Sequence, residues 1–204
     1  MKYETTRFKS LAVALKELEP FVRNGLHLQT GKPFKKLGDM RSREVLANWL
    51  VCAAANAVTE GGLTFTSDPL GGDGIILDVK TGDTWPTEHV MVPRLRPGET
   101  ADAETLILDK INQKRAKGDV AYAAGKTLIV FLEAGAGVWH PDKVAKRLPD
   151  PLLFATVWVV GLQGFEDGEY IYAVTNLDLS NGKVPALLVR VSSDFSSWQM
   201  TQLQ

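Results

Sequence analysis

The sequence predicts an α/β (α+β) fold in which helices flank a mixed central β-sheet. Three observations lead to this fold class. Apolar residues recur at helical spacing in two N-terminal segments, alternate with a period of two from residue 63, and form continuous runs in the C-terminal half. The resulting element order is α, α, β, β, β, α, β, α, β, β, β, which is typical of a sheet with helices packed against it.

Composition restricts the class of protein. The 204 residues are 45% hydrophobic and 23% charged, as in ordinary globular proteins, and the net charge of −1 gives no global attraction to nucleic acid or to a membrane. No linker rich in Pro, Gly or Ser divides residues 1–204, so we expect a single domain. Because the chain shows neither an apolar signal region nor a run of ~20 apolar residues, we expect a cytoplasmic protein without membrane contact.

Two helices are predicted before residue 61. The first covers residues 5–22 and ends at Asn24–Gly25; its apolar residues at helical spacing are Phe8, Leu11, Leu15 and Leu18. The second begins near Arg41 or Ser42 and ends at Gly61–Gly62; its apolar face is formed by Val45, Leu46, Trp49, Leu50 and Ala53. The segment between them, "TGKPFKKLGD", is predicted to be a basic loop.

Three short strands are predicted next, where the period shifts to two. They are "LTFTSD", "GDGIILDV" and "TEHVMVP". Thr81, Gly82 and Asp83 provide turn-forming residues between the second and third strands, so these two strands should form a hairpin.

The C-terminal half combines helices with longer strands. A helix is predicted over 102–117, with a buried stripe of Ile107, Leu108 and Ile111 and a basic second half. "KTLIVFLE" is continuously apolar, as expected of a central strand buried on both faces, and "HPDKVAKRL" predicts a short helix. Three further strands form a C-terminal extension over 153–204, which could extend the sheet, form a homodimer surface or shield a site.

Two acidic residues suggest where chemistry could occur. Asp73 and Glu88 are placed at the heads of the two hairpin strands, so symmetric pairing would bring their carboxylates together at one end of the sheet. Two carboxylates suit Mg²⁺, which prefers hard oxygen ligands, and a metal so held can polarise a phosphodiester and activate water. Gly71, Gly72 and Gly74 surround Asp73 and would allow a phosphate to approach closely.

The segments over residues 41–133 resemble the restriction-endonuclease-like PD-(D/E)xK nuclease superfamily. The matching features are a helix, a strand, a strand with Asp, a turn, a strand with Glu, a helix and a further strand, and "GGDGIILD" is similar to the glycine-flanked Asp of Mrr-like members. The resemblance implies a nuclease-like core at 41–133, with Asp73 and Glu88 as ligands of Mg²⁺ or Mn²⁺ and nucleic acid as the partner. It also matches Glu44, on the preceding helix, to an accessory acidic residue.

One position departs from the pattern of that superfamily. The third family residue is a Lys two positions after the Glu, and here that position is Val90. Some members supply the Lys from the following helix, and Lys114 is the candidate because it follows Ile111 by three residues on the inward stripe. Lys117 and Lys80 are weaker candidates.

Each of these residues also has an ordinary structural explanation. Asp73 could serve a turn, Glu88 could be a solvated strand-end carboxylate, and Lys114 could cover the core with its aliphatic stem. Glu44 could interact with its arginine neighbours at the start of a helix, and His89 should point away from Glu88 because strand neighbours alternate.

Three hypotheses about function follow. The first is a Mg²⁺-dependent endonuclease that hydrolyses phosphodiester bonds, with Asp73 and Glu88 holding the ion and Lys114 stabilising developing charge. The second is a catalytically inactive relative that binds protein or nucleic acid. The third is a mixed α/β protein that only coincidentally resembles nucleases and binds a small molecule.

Overall fold

The central feature of the computed structural model is an eight-stranded mixed sheet with helices on both faces, which confirms the predicted fold class. The structure describes residues 8–59, 61–96, 98–117, 120–133, 138–179 and 182–203. Within these residues, no helix is long and apolar enough to cross a membrane.

The helices and strands have the following bounds. The helices are α1 (Leu11–Arg23), α2 (Gly25–Thr30), α3 (Ser42–Thr59), α4 (Ala103–Ala116), α5 (Val120–Ala123) and α6 (Pro141–Ala145). The strands are β1 (Pro33–Phe34), β2 (Met40–Arg41), β3 (Leu63–Thr66), β4 (Ile75–Asp78), β5 (Thr84–Val92), β6 (Thr127–Leu132), β7 (Thr156–Glu166), β8 (Glu169–Asn176), β9 (Ala186–Val191) and β10 (Trp198–Gln202).

The large sheet has the strand order β10-β9-β8-β7-β6-β5-β4-β3. Strand β6 lies parallel to β5 and to β7, and all other pairs in this sheet are antiparallel. All six residues of β6 are buried, as the continuous apolar run predicted for a central strand. The C-terminal strands β7 to β10 therefore continue the sheet beyond β6.

Two apolar cores lie on opposite faces of the sheet. Helices α1 and α3 cover one face, with Ile129 and Phe131 of β6 below them. Helices α4 and α6 cover the other face, which receives Leu128 and Val130. Side chains of β5 alternate between the two faces in step with those of β6, because Glu88 pairs with Leu128 and His89 with Ile129. The side chain of Glu88 therefore points towards α4 and that of His89 towards α3.

The N-terminal helix is shorter than the sequence predicted. The predicted helix over 5–22 begins at Leu11, because the Ser10 hydroxyl caps it by accepting a hydrogen bond from the Val13 amide at 3.4 Å. Residues 5–7 of that prediction lie outside the described residues. The predicted basic loop, residues 30–39, contains β1 and a short 3-10 turn over Lys35–Leu37. Helix α2 ends at its first residue and β2 follows directly after it; all of these elements are too short to produce a periodic pattern.

Candidate functional site

A cleft of about 510 Å³ lies at the free part of the β5 edge. Strand β4 pairs with β5 only from Ile75, opposite Pro86, to Leu77, opposite Thr84, so the later part of β5 has no β4 neighbour. The chain before β4 turns away there and forms one wall of the cleft. The other walls come from β2, the start of α3, β5 and the second half of α4.

Hydrogen bonds fix the loop that carries Asp73. The Asp73 carbonyl oxygen accepts a bond from the Asn48 amide at 3.3 Å, and Asp73 Oδ2 accepts a bond from the His89 backbone N–H at 2.7 Å. The Thr87 N–H donates to the Gly74 carbonyl oxygen at 2.8 Å. Asp73 therefore accepts a backbone hydrogen bond at the edge of β5, just beyond the point where Ile75, the first residue of β4, pairs with that strand, and its carboxylate is held there.

The structure brings the three predicted catalytic residues together. Continuing the β4–β5 register by two residues places Asp73 opposite Glu88. The ammonium of Lys114, which reaches over from α4, lies 3.0 Å from Glu88 Oε2 and 3.9 Å from Asp73 Oδ2. The prediction that Glu88 lies at the head of its strand was wrong, because β5 begins at Thr84 and Glu88 lies inside it. The catalytic roles of these residues stay predictions.

The Glu88 carboxylate accepts hydrogen bonds from three side chains, those of Lys114, Tyr122 and Lys126. Its Oε1 accepts a hydrogen bond from the Lys126 ammonium at 2.9 Å, and its Oε2 also accepts a bond from the Tyr122 hydroxyl at 2.7 Å. Burial acts to raise the pKa of the Glu88 carboxyl, but the bonds from Lys126, Tyr122 and Lys114 outweigh burial and lower the pKa to about 2. The carboxylate is therefore charged at every physiological pH.

Tyr122 and Lys126 were missed by the sequence analysis. Lys126 is the charged residue directly before β6, and the N-terminal end of β6 lies beside Thr87 in the parallel β5–β6 pair. The sequence feature that could have indicated Lys126 is that it is the one charged residue at the start of the apolar strand. Tyr122 lies on the short helix α5, for which the sequence has no periodic pattern.

Glu44 lies in the wall of the cleft and also interacts with Arg41. Its Oε2 accepts a bond from the Arg41 backbone N–H at 2.9 Å, and its Oε1 is 3.7 Å from Arg41 Nε. Burial, and to a smaller extent the nearby charge of Asp73, raise the pKa of the Glu44 carboxyl. The arginine interaction expected at the helix start is present, and the role of Glu44 as a metal ligand stays a prediction. Among the described residues, no three His, Cys, Asp or Glu side chains form a group that could hold a metal ion.

His89 reaches the cleft although it points away from Glu88. No bulge redirects its side chain, because the β5–β6 register is unbroken from Thr87 to Val92. Because the cleft opens at the strand edge, side chains from both faces of β5 line it. His89 is only 8% exposed, and its Nε2 has no hydrogen-bond partner among the described residues.

We predict that His89 stays neutral in the folded protein well into the acidic range. Burial, with the nearby charge of Lys114, lowers the pKa of its imidazole to about 3. Since the unfolded protein binds this proton more readily, the contribution of His89 to stability is complete above its ordinary pKa of 6.5 and is lost as the pH falls towards 3. Long-range ¹H–¹⁵N NMR at pH 5 should show one protonated and one unprotonated ring nitrogen; an imidazolium signal at that pH would contradict the prediction.

Charges of both signs line the cleft. The basic residues are Arg41, Arg43, Lys114 and Lys117, and the acidic residues are Asp39, Glu44, Asp68 and Asp73. Lys117, a weaker candidate for the catalytic lysine, thus lies in the cleft wall, whereas Lys80 is exposed next to the hairpin turn. The cleft offers both carboxylate ligands for a cation and cationic groups for a phosphate.

No family model, curated protein or solved structure matches the chain.

Proposed function

We propose that the protein is a metal-dependent nuclease that hydrolyses phosphodiester bonds of nucleic acid, with Asp73, Glu88 and Lys114 as its catalytic residues. The observation that carries the proposal is the position of the Lys114 ammonium, 3.0 Å from Glu88 and 3.9 Å from Asp73. Two carboxylates and one ammonium at the end of a hairpin are the groups that the PD-(D/E)xK resemblance implies. The order α3, β3, β4, β5, α4, β6, with the short helix α5 added before β6, also agrees with that resemblance.

The carboxylates of Asp73, which lines the cleft, and of Glu88, which lies beside Lys114 next to it, fit a divalent cation. The Lys114 ammonium is itself a cation within reach of both carboxylates, so a position for positive charge between Asp73 and Glu88 exists. Carboxylate oxygens are the ligands that Mg²⁺ and Mn²⁺ prefer, and Asp73 and Glu88 would hold the ion. A bound divalent cation would supply Lewis-acid polarisation of the scissile phosphate.

The protein's own side chains would bind the phosphates and stabilise the charge that develops on them. Lys114 comes from α4 and extends to the cleft, so its ammonium can pair with a non-bridging phosphate oxygen and stabilise charge that develops there. Glycine at positions 71 and 72 keeps the wall before Asp73 free of bulky side chains, which lets a sugar-phosphate backbone approach. Lys117 lies three residues after Lys114 on the same wall and can contact a neighbouring phosphate.

A second candidate function is nucleic-acid or protein binding without catalysis. Two observations favour it. Val90 occupies the position at which the superfamily carries its strand lysine, and the Glu88 carboxylate is already compensated by two ammonium groups. In that case the cationic residues of the cleft would bind phosphates, and cleavage would not occur.

The decisive experiment is a cleavage assay with Asp73→Asn. Plasmid and single-stranded DNA and RNA are incubated with the wild-type protein in Mg²⁺ or Mn²⁺. Asn keeps the size of Asp73 but removes a charged ligand, so we expect cleavage to fall roughly 100-fold or more, since even outer-shell partners of a metal contribute ~10–100-fold.

Two controls make the cleavage assay specific. Asp78→Asn changes a half-buried carboxylate at the far end of β4, which accepts a bond from the Lys80 N–H, and should leave the rate unchanged. Cleavage that persists in Asp73→Asn, or a wild-type protein that binds nucleic acid and never cuts it, would favour the binding function instead.

A further inference from the structure

Two ammonium groups pair with Glu88, and their surroundings differ. Lys126 bonds Oε1, at 2.9 Å, whereas Lys114 bonds Oε2, at 3.0 Å. Lys114 lines the cleft and also reaches Asp73, while Lys126 does not line the cleft. One lysine therefore faces the space in which a ligand would bind, and the other does not.

Lys126 is held in place on several sides. Its backbone N–H donates to the Ala123 carbonyl oxygen at 3.1 Å, and its carbonyl oxygen accepts a bond from the Ala155 N–H at 2.9 Å. Its ammonium lies 4.5 Å from the centre of the Tyr122 ring, in the geometry of a cation–π interaction. Tyr122 in turn donates its hydroxyl to Glu88 Oε2 at 2.7 Å.

Lys126 would keep the Glu88 carboxylate compensated when Lys114 moves away from it. Glu88 is only 7% exposed, and a buried carboxylate that loses its sole cationic partner is strongly destabilised. With Lys126 and Tyr122 in place, the carboxylate keeps a cation and a hydrogen-bond donor after Lys114 leaves.

We infer that Lys126 and Tyr122 are positioning residues, which hold and compensate Glu88 so that Lys114 can give way to a divalent cation between Glu88 and Asp73. The inference rests on the proposed function for the identity of the site. It adds that the two lysines have opposite effects on metal binding. Lys114 competes with the metal for the carboxylates, and Lys126 keeps one of those carboxylates available.

The test is the affinity of the protein for Mn²⁺ alone, measured by titration calorimetry and by the EPR signal of free Mn²⁺. Lys114→Met should tighten Mn²⁺ binding by roughly tenfold or more, because the competing charge a few ångströms away is removed. Lys126→Met should weaken it. In that variant Lys114 is the last ammonium on a buried carboxylate and is held there more firmly.

Matched variants keep the test independent of misfolding. Lys126→Arg retains the charge and should restore the wild-type affinity. Lys110→Met makes the same change one turn earlier on α4, where the ammonium bonds only Gln113 among the described residues, and should have no effect. Circular dichroism of each variant establishes that it is folded.

The outcomes separate this inference from the proposed function. Tighter Mn²⁺ binding in Lys114→Met together with weaker binding in Lys126→Met supports the inference even if the wild-type protein cuts no substrate. Tighter or unchanged binding in Lys126→Met, or no tightening in Lys114→Met, overturns it even if the protein is a nuclease. An absence of Mn²⁺ binding in all of the proteins overturns both.

Discussion

Glu88→Gln should lower the free energy of unfolding by about 3 kcal/mol at neutral pH, an effect typical of breaking a buried ion pair. Glutamine has nearly the same shape, but it removes the only negative charge that directly contacts both Lys114 and Lys126 among the described residues. The two ammonium groups would then lie close together in a partly buried site without an anion between them. Urea denaturation of the wild-type protein and the variant measures the difference without screening the charges.

The pH dependence of this difference has a defined sign. The pKa of the Glu88 carboxyl is lowered in the folded protein, from 4.5 to about 2. Its contribution is therefore complete above pH 4.5 and is lost as the pH falls towards 2, so the two stability curves should converge there. The pH dependence due to His89 should remain in the variant.

An exposed carboxylate provides the control for Glu88→Gln. Glu166 pairs with Arg190 at 3.6 Å, and its side chain is 64% exposed. Glu166→Gln should therefore change the free energy of unfolding by less than about 1 kcal/mol. If Glu88→Gln were no more destabilising than Glu166→Gln, the hydrogen-bonded network around Glu88 would not stabilise the fold.

Gly74→Ala should be about as destabilising as Glu88→Gln and should also disturb the cleft. Gly74 has φ +149°, a conformation that residues with a side chain rarely adopt. An added Cβ would lie 2.6 Å from Asn48 Nδ2 and 2.9 Å from Thr87 Oγ1, and both of those side chains are buried. We expect a loss of about 2–4 kcal/mol from strain and overlap together.

The substitution should also displace Asp73, which directly precedes Gly74. A shift of about 1 Å in a catalytic group costs up to ~100-fold in rate, so cleavage should fall with stability. Thermal unfolding and the cleavage assay together measure both effects. Gly71→Ala is the control, because Gly71 also has a positive φ, of +89°, but nothing lies within 4 Å of an added Cβ. Equal losses in the two variants would mean that overlap at Gly74 contributes nothing.

The hairpin is the part of the site that could be predicted best from the sequence. Thr81, Gly82 and Asp83 fix the turn, and a turn fixes the register of the strands that it joins. The opposition of Asp73 and Glu88 follows from that local register. Lys114 was also predictable, since its spacing from Ile111 places it on the inward stripe of α4.

The partners of Glu88 beyond Lys114 could not be predicted in this way. Lys126 meets Glu88 across 38 positions in sequence, because β6 returns parallel to β5 after α4 and α5. The periodicity of apolar residues within a segment does not predict which other strand pairs with β5. The position of His89 at the cleft could not be predicted for a related reason. Alternation predicted its face of the strand correctly, but not that the cleft would open at the strand edge and be lined by side chains from both faces.

The sequence by itself determined the class of fold, the principal helices and strands, and the hairpin that opposes two acids, because periodicity and turn residues act over a few neighbouring positions. The tertiary structure alone decided that Lys126 and Tyr122 join Lys114 at Glu88 and that His89 lines the same cleft as Asp73. These contacts depend on which strands and helices pack together, and that choice is made by burial across the whole chain.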